Sequence, residues 1–178
     1  ATLVVQGAAW DDAHEHAVGL AQALGAVHVH PFDDPLLWDG HATLIDEVVR
    51  AGVAFDAVVT SVGGGGLLAG IVEGLRRNGL HEVPVIAVET EGAASYAAAL
   101  AAGAPVTLPA ITSIATSLGA RRVMDHALAL ASEHPITSLV VSDAQAVQAC
   151  AHFADTMRVL VEPACGASIA ALDAHPEV

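Results

Sequence analysis

The sequence predicts an α/β protein built on a mainly parallel sheet flanked by helices, and three observations predict it. Short runs rich in Val, Ile and Leu alternate along the chain with longer segments whose apolar residues recur at helical spacing. Two of the short runs, residues 57–62 and 83–89, are continuously apolar over most of their length, the pattern of strands covered on both faces. Four consecutive glycines, 63–66, stand between the first of these runs and an amphipathic helix.

Each element follows from its own residues. Residues 2–5 form an apolar, β-branched run ended by Gly7, and Asp11-Asp12 then open a helix with Ala13, Val18, Leu20, Ala21 and Leu24 on its apolar positions. After Gly25, residues 26–30 read as a strand closed by Pro31 and the acidic turn Asp33-Asp34-Pro35. Residues 43–49 read as a helix with Ile45, Val48 and Val49 inward, stopped by Gly52. Beyond strand 57–62 and the glycines, Leu67, Leu68, Ile71, Val72 and Leu75 mark a helix; Arg76 and Arg77 suit its C-terminal dipole and Gly79 ends it. Strand 83–89 leads to an alanine-rich helix over 93–102, a loop over 103–120, a helix over 121–132 and a strand over 138–141. Ser142-Asp143 cap a helix over 144–156, and 159–163 leads into a last helix over 167–174.

Composition bounds the function. At 54% hydrophobic and 15% charged, the 178 residues have enough apolar surface to fold, which excludes intrinsic disorder. The net charge of −14 repels a phosphate backbone, so nucleic acid is not an expected partner, and Trp10 and Trp38 offer no platform for stacking bases. The basic residues are Arg50, Arg76, Arg77, Arg121, Arg122 and Arg158; the chain has no lysine. Two cysteines are too few for a disulfide framework, and no apolar run reaches the roughly 18 residues of a membrane span. A cytoplasmic protein with no membrane contact is expected.

The chemistry concentrates at Val62-Gly63-Gly64-Gly65-Gly66-Leu67-Leu68. Successive glycines let backbone N–H groups curl toward one point, and the helix N-terminus behind them carries partial positive charge, so the turn suits a phosphate. The residues alone leave three readings open: a tight turn with no ligand, a nicotinamide dinucleotide site, or another phosphate site. Gly64-x-Gly66-x-x-Ala69 satisfies the dinucleotide fingerprint, with Glu89 placed to hold a ribose roughly 20 residues on. No Walker lysine follows, which excludes an ATP loop.

Other clusters carry less. His28-x-His30 puts two imidazoles on one face of a strand and needs a third ligand to hold zinc, so two surface histidines is the simpler reading. His14 and His16 diverge on a helix. No Gly-x-Ser-x-Gly elbow surrounds Ser168, and Cys165 reads as a small buried thiol.

The stretch Ser61-Val62-Gly63-Gly64-Gly65-Gly66-Leu67-Leu68 resembles the phosphate loop of the serine and threonine dehydratases, fold type II enzymes that use pyridoxal 5'-phosphate (PLP). Four more stretches agree with it in order: Pro31-Phe32-Asp33-Asp34-Pro35-Leu36-Leu37-Trp38-Asp39-Gly40-His41, Ile86-Ala87-Val88-Glu89-Thr90-Glu91-Gly92-Ala93-Ala94-Ser95, Thr112-Ser113-Ile114-Ala115-Thr116-Ser117-Leu118-Gly119-Ala120, and Val161-Glu162-Pro163-Ala164-Cys165-Gly166-Ala167. The resemblance implies α,β-elimination of L-serine or L-threonine to a 2-oxo acid and ammonia, with a small amino acid as substrate and a homodimer as assembly. It implies that Gly63, Gly64, Gly65 and Gly66 hold the cofactor phosphate and that Glu162 is an acid near the cofactor. Ser117 falls beside the substrate. Glu89 and Ser95, with the carbonyls of Gly63, Ala93, Leu118 and Ala120, would ligate a monovalent cation, potassium.

One departure matters. The family holds the PLP aldehyde on a lysine, and this chain offers no catalytic lysine. The expectation is a piece of an enzyme, inactive alone, in which residues 1–33 are the C-terminal part of a small domain and 34–178 a partial large, PLP-binding domain. The alternatives are an NAD-binding, Rossmann-type oxidoreductase domain and a non-catalytic phosphate-binding or dimerisation module.

Overall fold

In the computed structural model, which describes residues 2–174, three strands form one parallel sheet in the order β1-β2-β3, with β1 Val58–Ser61, β2 Val85–Thr90 and β3 Ile136–Val141. Val58 pairs with Val85 and Val85 with Ile136, so all three strands end at the same edge. Seven helices surround them among the described residues: α1 Trp10–Leu24, α2 Pro35–Arg50, α3 Gly66–Arg77, α4 Ser95–Ala102, α5 Asp125–Leu130, α6 Asp143–Met157 and α7 Pro163–Ala174.

Strand β2 organises the layers because every one of its residues is buried. Side chains alternate across a strand. Val85 and Ala87 therefore point into one apolar cluster, with Ile45, Leu68, Ile71, Leu75, Tyr96, Ala127 and Leu130 from helices α2 to α5. Ile86 and Val88 point into the other, with Val141 and the alanines 146, 149, 167, 170 and 171 of α6 and α7. The second layer is nearly all alanine, which lets α7 lie close against all three strands.

Close approach also fixes α2 on α3. A Cβ at Gly70 would meet His41 Cβ at 2.3 Å, and one at Gly74 would meet the Ala42 carbonyl oxygen at 2.7 Å and Ile45 Cβ at 2.8 Å.

The predicted elements are mostly present, with four differences. Residues 2–5 and 26–30 are not strands: Leu3, Val5, Val27 and Val29 are exposed, and neither run has a neighbouring strand among the described residues. A β-branched pattern without a ladder partner stays irregular. Helix α2 begins at Pro35 rather than at 43, because Asp34 caps it by accepting from the Leu36 N–H at 2.9 Å and Pro35 presets the first turn. Helix α5 is shorter than 121–132. The Met124 N–H donates to the Gly64 carbonyl at 3.1 Å, the Leu108 N–H donates to the Arg121 carbonyl at 2.8 Å and the Arg121 Nε–H donates back to the Leu108 carbonyl at 2.9 Å, so 121–124 braces the glycine loop instead. Helix α7 starts at Pro163, four residues early, again with proline at the first position.

Replacing Gly74 by Ala should cost about 1–3 kcal/mol, the usual range for overpacking, because the new methyl meets backbone rather than a movable side chain. Urea unfolding of the variant against the parent chain measures it.

Candidate functional site

At the carboxyl edge of the sheet lies a cleft of about 820 Å³. Its floor is the end of β1 and the glycine loop, one wall is loop 116–120, another is the start of α7, and Phe32 and His41 border it from the segment that leads into α2 and from α2 itself. Clefts outside the carboxyl ends of parallel strands are where open α/β sheets take ligands.

The glycine loop is shaped for an anion. Gly65 caps α3 with φ +101°, a conformation that only glycine adopts without strain, and a Cβ there would meet Ala127 at 2.6 Å. Gly64 passes directly under the Phe32 ring, whose carbons lie 2.3–2.4 Å from an added Cβ. Among the described residues, the N–H groups of Gly63, Gly64, Gly65 and Gly66 donate to no protein acceptor. Four unspent donors at a helix N-terminus are an anion cradle.

Ser117 and Glu162, 45 residues apart in sequence, meet on the cleft wall, where the Ser117 hydroxyl donates to Glu162 Oε2 at 2.7 Å. The loop that carries Ser117 is clamped from behind. Ser113 Oγ donates to Asp143 Oδ1 at 2.6 Å, accepts from the Ala115 N–H at 3.0 Å and lies 2.8 Å from Thr90 Oγ1, which is left to donate; Asp143 Oδ2 also accepts from the Ile114 N–H at 3.0 Å. Ser142 and Gln145 bond reciprocally at the same helix start. Sequence reasoning read Asp143 as part of a helix cap and did not pair it with Ser113, since nothing in their spacing marks a pair 30 residues apart. It also missed that Ser61 donates to the Ala164 carbonyl and that Ser168 is thereby left to donate to Ser61, a tie between β1 and α7 at the cleft floor.

Glu89 is wholly buried behind the loop. Its Oε1 accepts from the Tyr96 N–H at 2.7 Å and its Oε2 from the Ala97 N–H at 2.8 Å, so the carboxylate caps α4. Burial pushes its pKa up to about 7 against those bonds, and burial together with Glu89 pushes the Tyr96 phenol up to about 12. Beside it, Ser95 Oγ and Tyr96 Oη are buried without a hydrogen-bond partner. Ser95 is the residue that the family resemblance pairs with Glu89, and an orphaned buried hydroxyl is uncommon in a native core.

Two expectations are corrected. Cys165 is exposed on the cleft wall rather than buried, because α7 begins before it and turns it outward. The dinucleotide reading fails at Glu89, whose carboxylate is spent on α4 and does not line the cleft. His28 and His30 do find a third imidazole, His14, with ring centroids 4.8–6.1 Å apart, yet no group of three or more His, Cys, Asp or Glu among the described residues is arranged to hold a metal ion.

The site is thus a cleft at the carboxyl edge of a parallel α/β sheet, with four unspent backbone donors at a helix N-terminus on its floor. The pyridoxal-phosphate dependent enzyme family model matches residues 1–177, and the chain belongs to that family. It is 50% identical over 173 residues to a serine dehydratase-like protein of Mus musculus (97% of this chain, 53% of the relative). It is also 50% identical over 177 residues to the L-serine dehydratase/L-threonine deaminase of Homo sapiens (98% and 54%). Among solved structures, a fungal L-serine ammonia-lyase from Rhizomucor miehei superposes with a TM-score of 0.89 at 36% identity (98% of this chain, 56% of that chain). The processed form of threonine deaminase isoform 2 from Solanum lycopersicum gives 0.87 at 29% (98% and 50%). The chain spans about half the length of the curated relatives it matches, and its architecture is that of the fold type II relatives.

Removing the clamp behind Ser117 should free its loop. Asp143→Ala deletes two bonds to a charged acceptor, each worth about 1.5–3 kcal/mol, so the Ile114 and Ala115 amides should exchange with deuterium at least tenfold faster while those of β2 hardly change.

Proposed function

We propose that the protein to which this chain belongs converts L-serine or L-threonine to a 2-oxo acid and ammonia by PLP-dependent α,β-elimination, the water lost in the elimination being returned in the hydrolysis that releases ammonia. The observation that carries this is the cradle: four N–H groups without acceptors, on glycines closely packed by their neighbours, at the start of α3. The names of the relatives supply the substrate class.

The residues fit the cofactor. Gly63, Gly64, Gly65 and Gly66 hold its phosphate through backbone donors and the α3 dipole. When bound, PLP supplies the electron sink into which an amino acid's α-carbon electrons are drawn. Ser117 and Glu162 stand on the cleft wall as a hydrogen-bonded pair, placing a hydroxyl and a carboxylate beside the substrate and the ring. With no lysine among its residues, the chain supplies no ammonium or amine to the aldehyde and holds the cofactor by its phosphate. Residues 1–33 form part of the small domain, and 34–178 belong to the large one.

A monovalent cation, potassium, sits behind the loop on Glu89, Ser95 and the carbonyls of Gly63, Ala93, Leu118 and Ala120. Its support is the wholly buried carboxylate beside an unpartnered buried hydroxyl, an oxygen-only set suited to a hard cation. Such an ion ties loop 118–120 to the phosphate loop: Leu118 Cα lies 3.1 Å from a Cβ built on Gly63.

Two measurements test the reading. Gly65→Asp puts a side chain against Ala127 and a negative charge at the cradle, and should abolish PLP retention measured by absorbance after dialysis; full cofactor content in that variant overturns the loop assignment. Potassium should raise Tm by about 2–4 °C for each kcal/mol of binding, lithium at equal ionic strength should not, and Glu89→Gln should lose the difference.

A further inference from the structure

Next to the cleft stands a group of rings that the proposed reaction does not use. Trp10 and His14 of α1 stack at 4.8 Å, His14 packs edge-on to His28 and His30 at 5.2 and 4.8 Å, and His30 packs edge-on to Phe32 at 4.6 Å. His30 differs from its neighbours in what its ring nitrogen does. Its Nδ1 accepts from the Asp33 N–H at 2.8 Å and from the Phe32 N–H at 3.3 Å, closing the turn that leads into α2. Two backbone donors aimed at one imidazole nitrogen require that nitrogen to carry a lone pair, so the ring is neutral and protonated on Nε2.

What the turn holds is Phe32. The Phe32 ring covers Gly64, its Cα and carbonyl oxygen lie 2.8–2.9 Å from a Cβ built on Gly66, and its carbonyl also accepts from Trp38 Nε1 at 2.7 Å. The residue thus presses on two of the four cradle glycines.

We propose that His30 is a positioning residue for the phosphate loop: its neutral Nδ1 latches the 30–33 turn and so seats Phe32 on Gly64 and Gly66, and its protonation releases that seat and loosens the grip on the cofactor. Protonation converts the acceptor into a donor facing two donors, which breaks both bonds at once. The groups facing His30 are His14 on α1, His28 on the preceding segment, and Asp33 and Asp34 on the turn itself. Burial first, then His14 and His28, lower the pKa of His30 below its ordinary 6.5; the two aspartates oppose them, and the net shift is downward. A group with a depressed folded-state pKa contributes stability above the ordinary value and loses it as pH falls through the folded value. The latch is therefore closed at neutral pH and opens on acidification.

The inference rests on the PLP reading for what is gripped but not for the latch, so the test reads the two separately. In the full chain, ¹⁵N NMR of the ring reports the His30 tautomer, and hydrogen exchange of the Asp33 amide reports the turn. His30→Asn keeps an acceptor at the Nδ1 position but does not titrate; His30→Ala has none. Expected are an unprotonated Nδ1 at pH 7.5, an Asp33 amide that exchanges several-fold faster in His30→Ala, and restored protection in His30→Asn. The ratio of PLP retained by His30→Asn to that retained by the parent should be near one at pH 7.5 and rise several-fold by pH 5.5, a comparison that cancels the titration of the cofactor's own phosphate. A protonated Nδ1 at pH 7.5, or unchanged Asp33 exchange in His30→Ala, overturns the latch. A ratio that stays at one down to pH 5.5 overturns its coupling to the loop. A parent chain that retains no PLP at any pH while the tautomer and exchange results hold overturns the cofactor reading and leaves the latch standing.

Discussion

Burial of β2 on both faces is the constraint on which the rest of this structure depends. A strand with no solvent side must hand every side chain to a packing partner, and the alternation along Val85, Ile86, Ala87 and Val88 deals those partners to two helical layers. Where the strand runs out, the same alternation delivers polar groups. Glu89 falls on the α4 side and caps that helix; Thr90 falls on the other and meets Ser113. The two walls behind the cleft are thus anchored by adjacent residues of a single strand, and a change in β2 register would exchange their destinations.

The cleft inherits its shape from contacts that leave no room for a Cβ. Gly63 lies against the Leu118 backbone, Gly64 against the Phe32 ring, Gly65 against Ala127 and Gly66 against the Phe32 backbone. The four glycines rest on three neighbours, Leu118, Phe32 and Ala127, so the loop is held from several directions by segments that are distant in sequence. Because the nearest of these contacts are with backbone atoms, a ring and the Ala127 methyl rather than flexible chain ends, the loop is shaped before any ligand arrives, which lowers the ordering cost of binding.

Much of this was legible in the sequence, and the reasons are local. The continuous apolar runs at 57–62 and 83–89, the glycine run and the cap at Ser142 each act over a few residues, and each stands where its pattern put it. What was illegible depended on partners far along the chain. Residues 121–124 have helical spacing, but Met124 spends its N–H on Gly64, so the helix begins later. Residues 26–30 have a strand pattern and no ladder. Ser113 and Asp143, or Ser117 and Glu162, carry no mutual signal in spacing, and Glu89 gives no hint in one dimension that its oxygens face the N-terminus of α4 rather than a ribose.

The way the cleft attracts an anion is itself constrained by composition. With a net charge of −14, the protein surrounds any phosphate with a repulsive field, and none of its six arginines lines the cleft among the described residues. Arg76, Arg77 and Arg122 are instead spent on Glu133, on Asp39 and Asp46, and on Asp125 at the surface, and Arg121 on the Leu108 carbonyl. What remains is the backbone: N–H dipoles and the partial charge of the α3 terminus, fixed in direction and acting over a short range. Short-range donors discriminate by geometry where a cluster of cations would attract any polyanion. The proposed phosphate site therefore depends for its strength on how firmly the neighbours of the loop hold those donors in place.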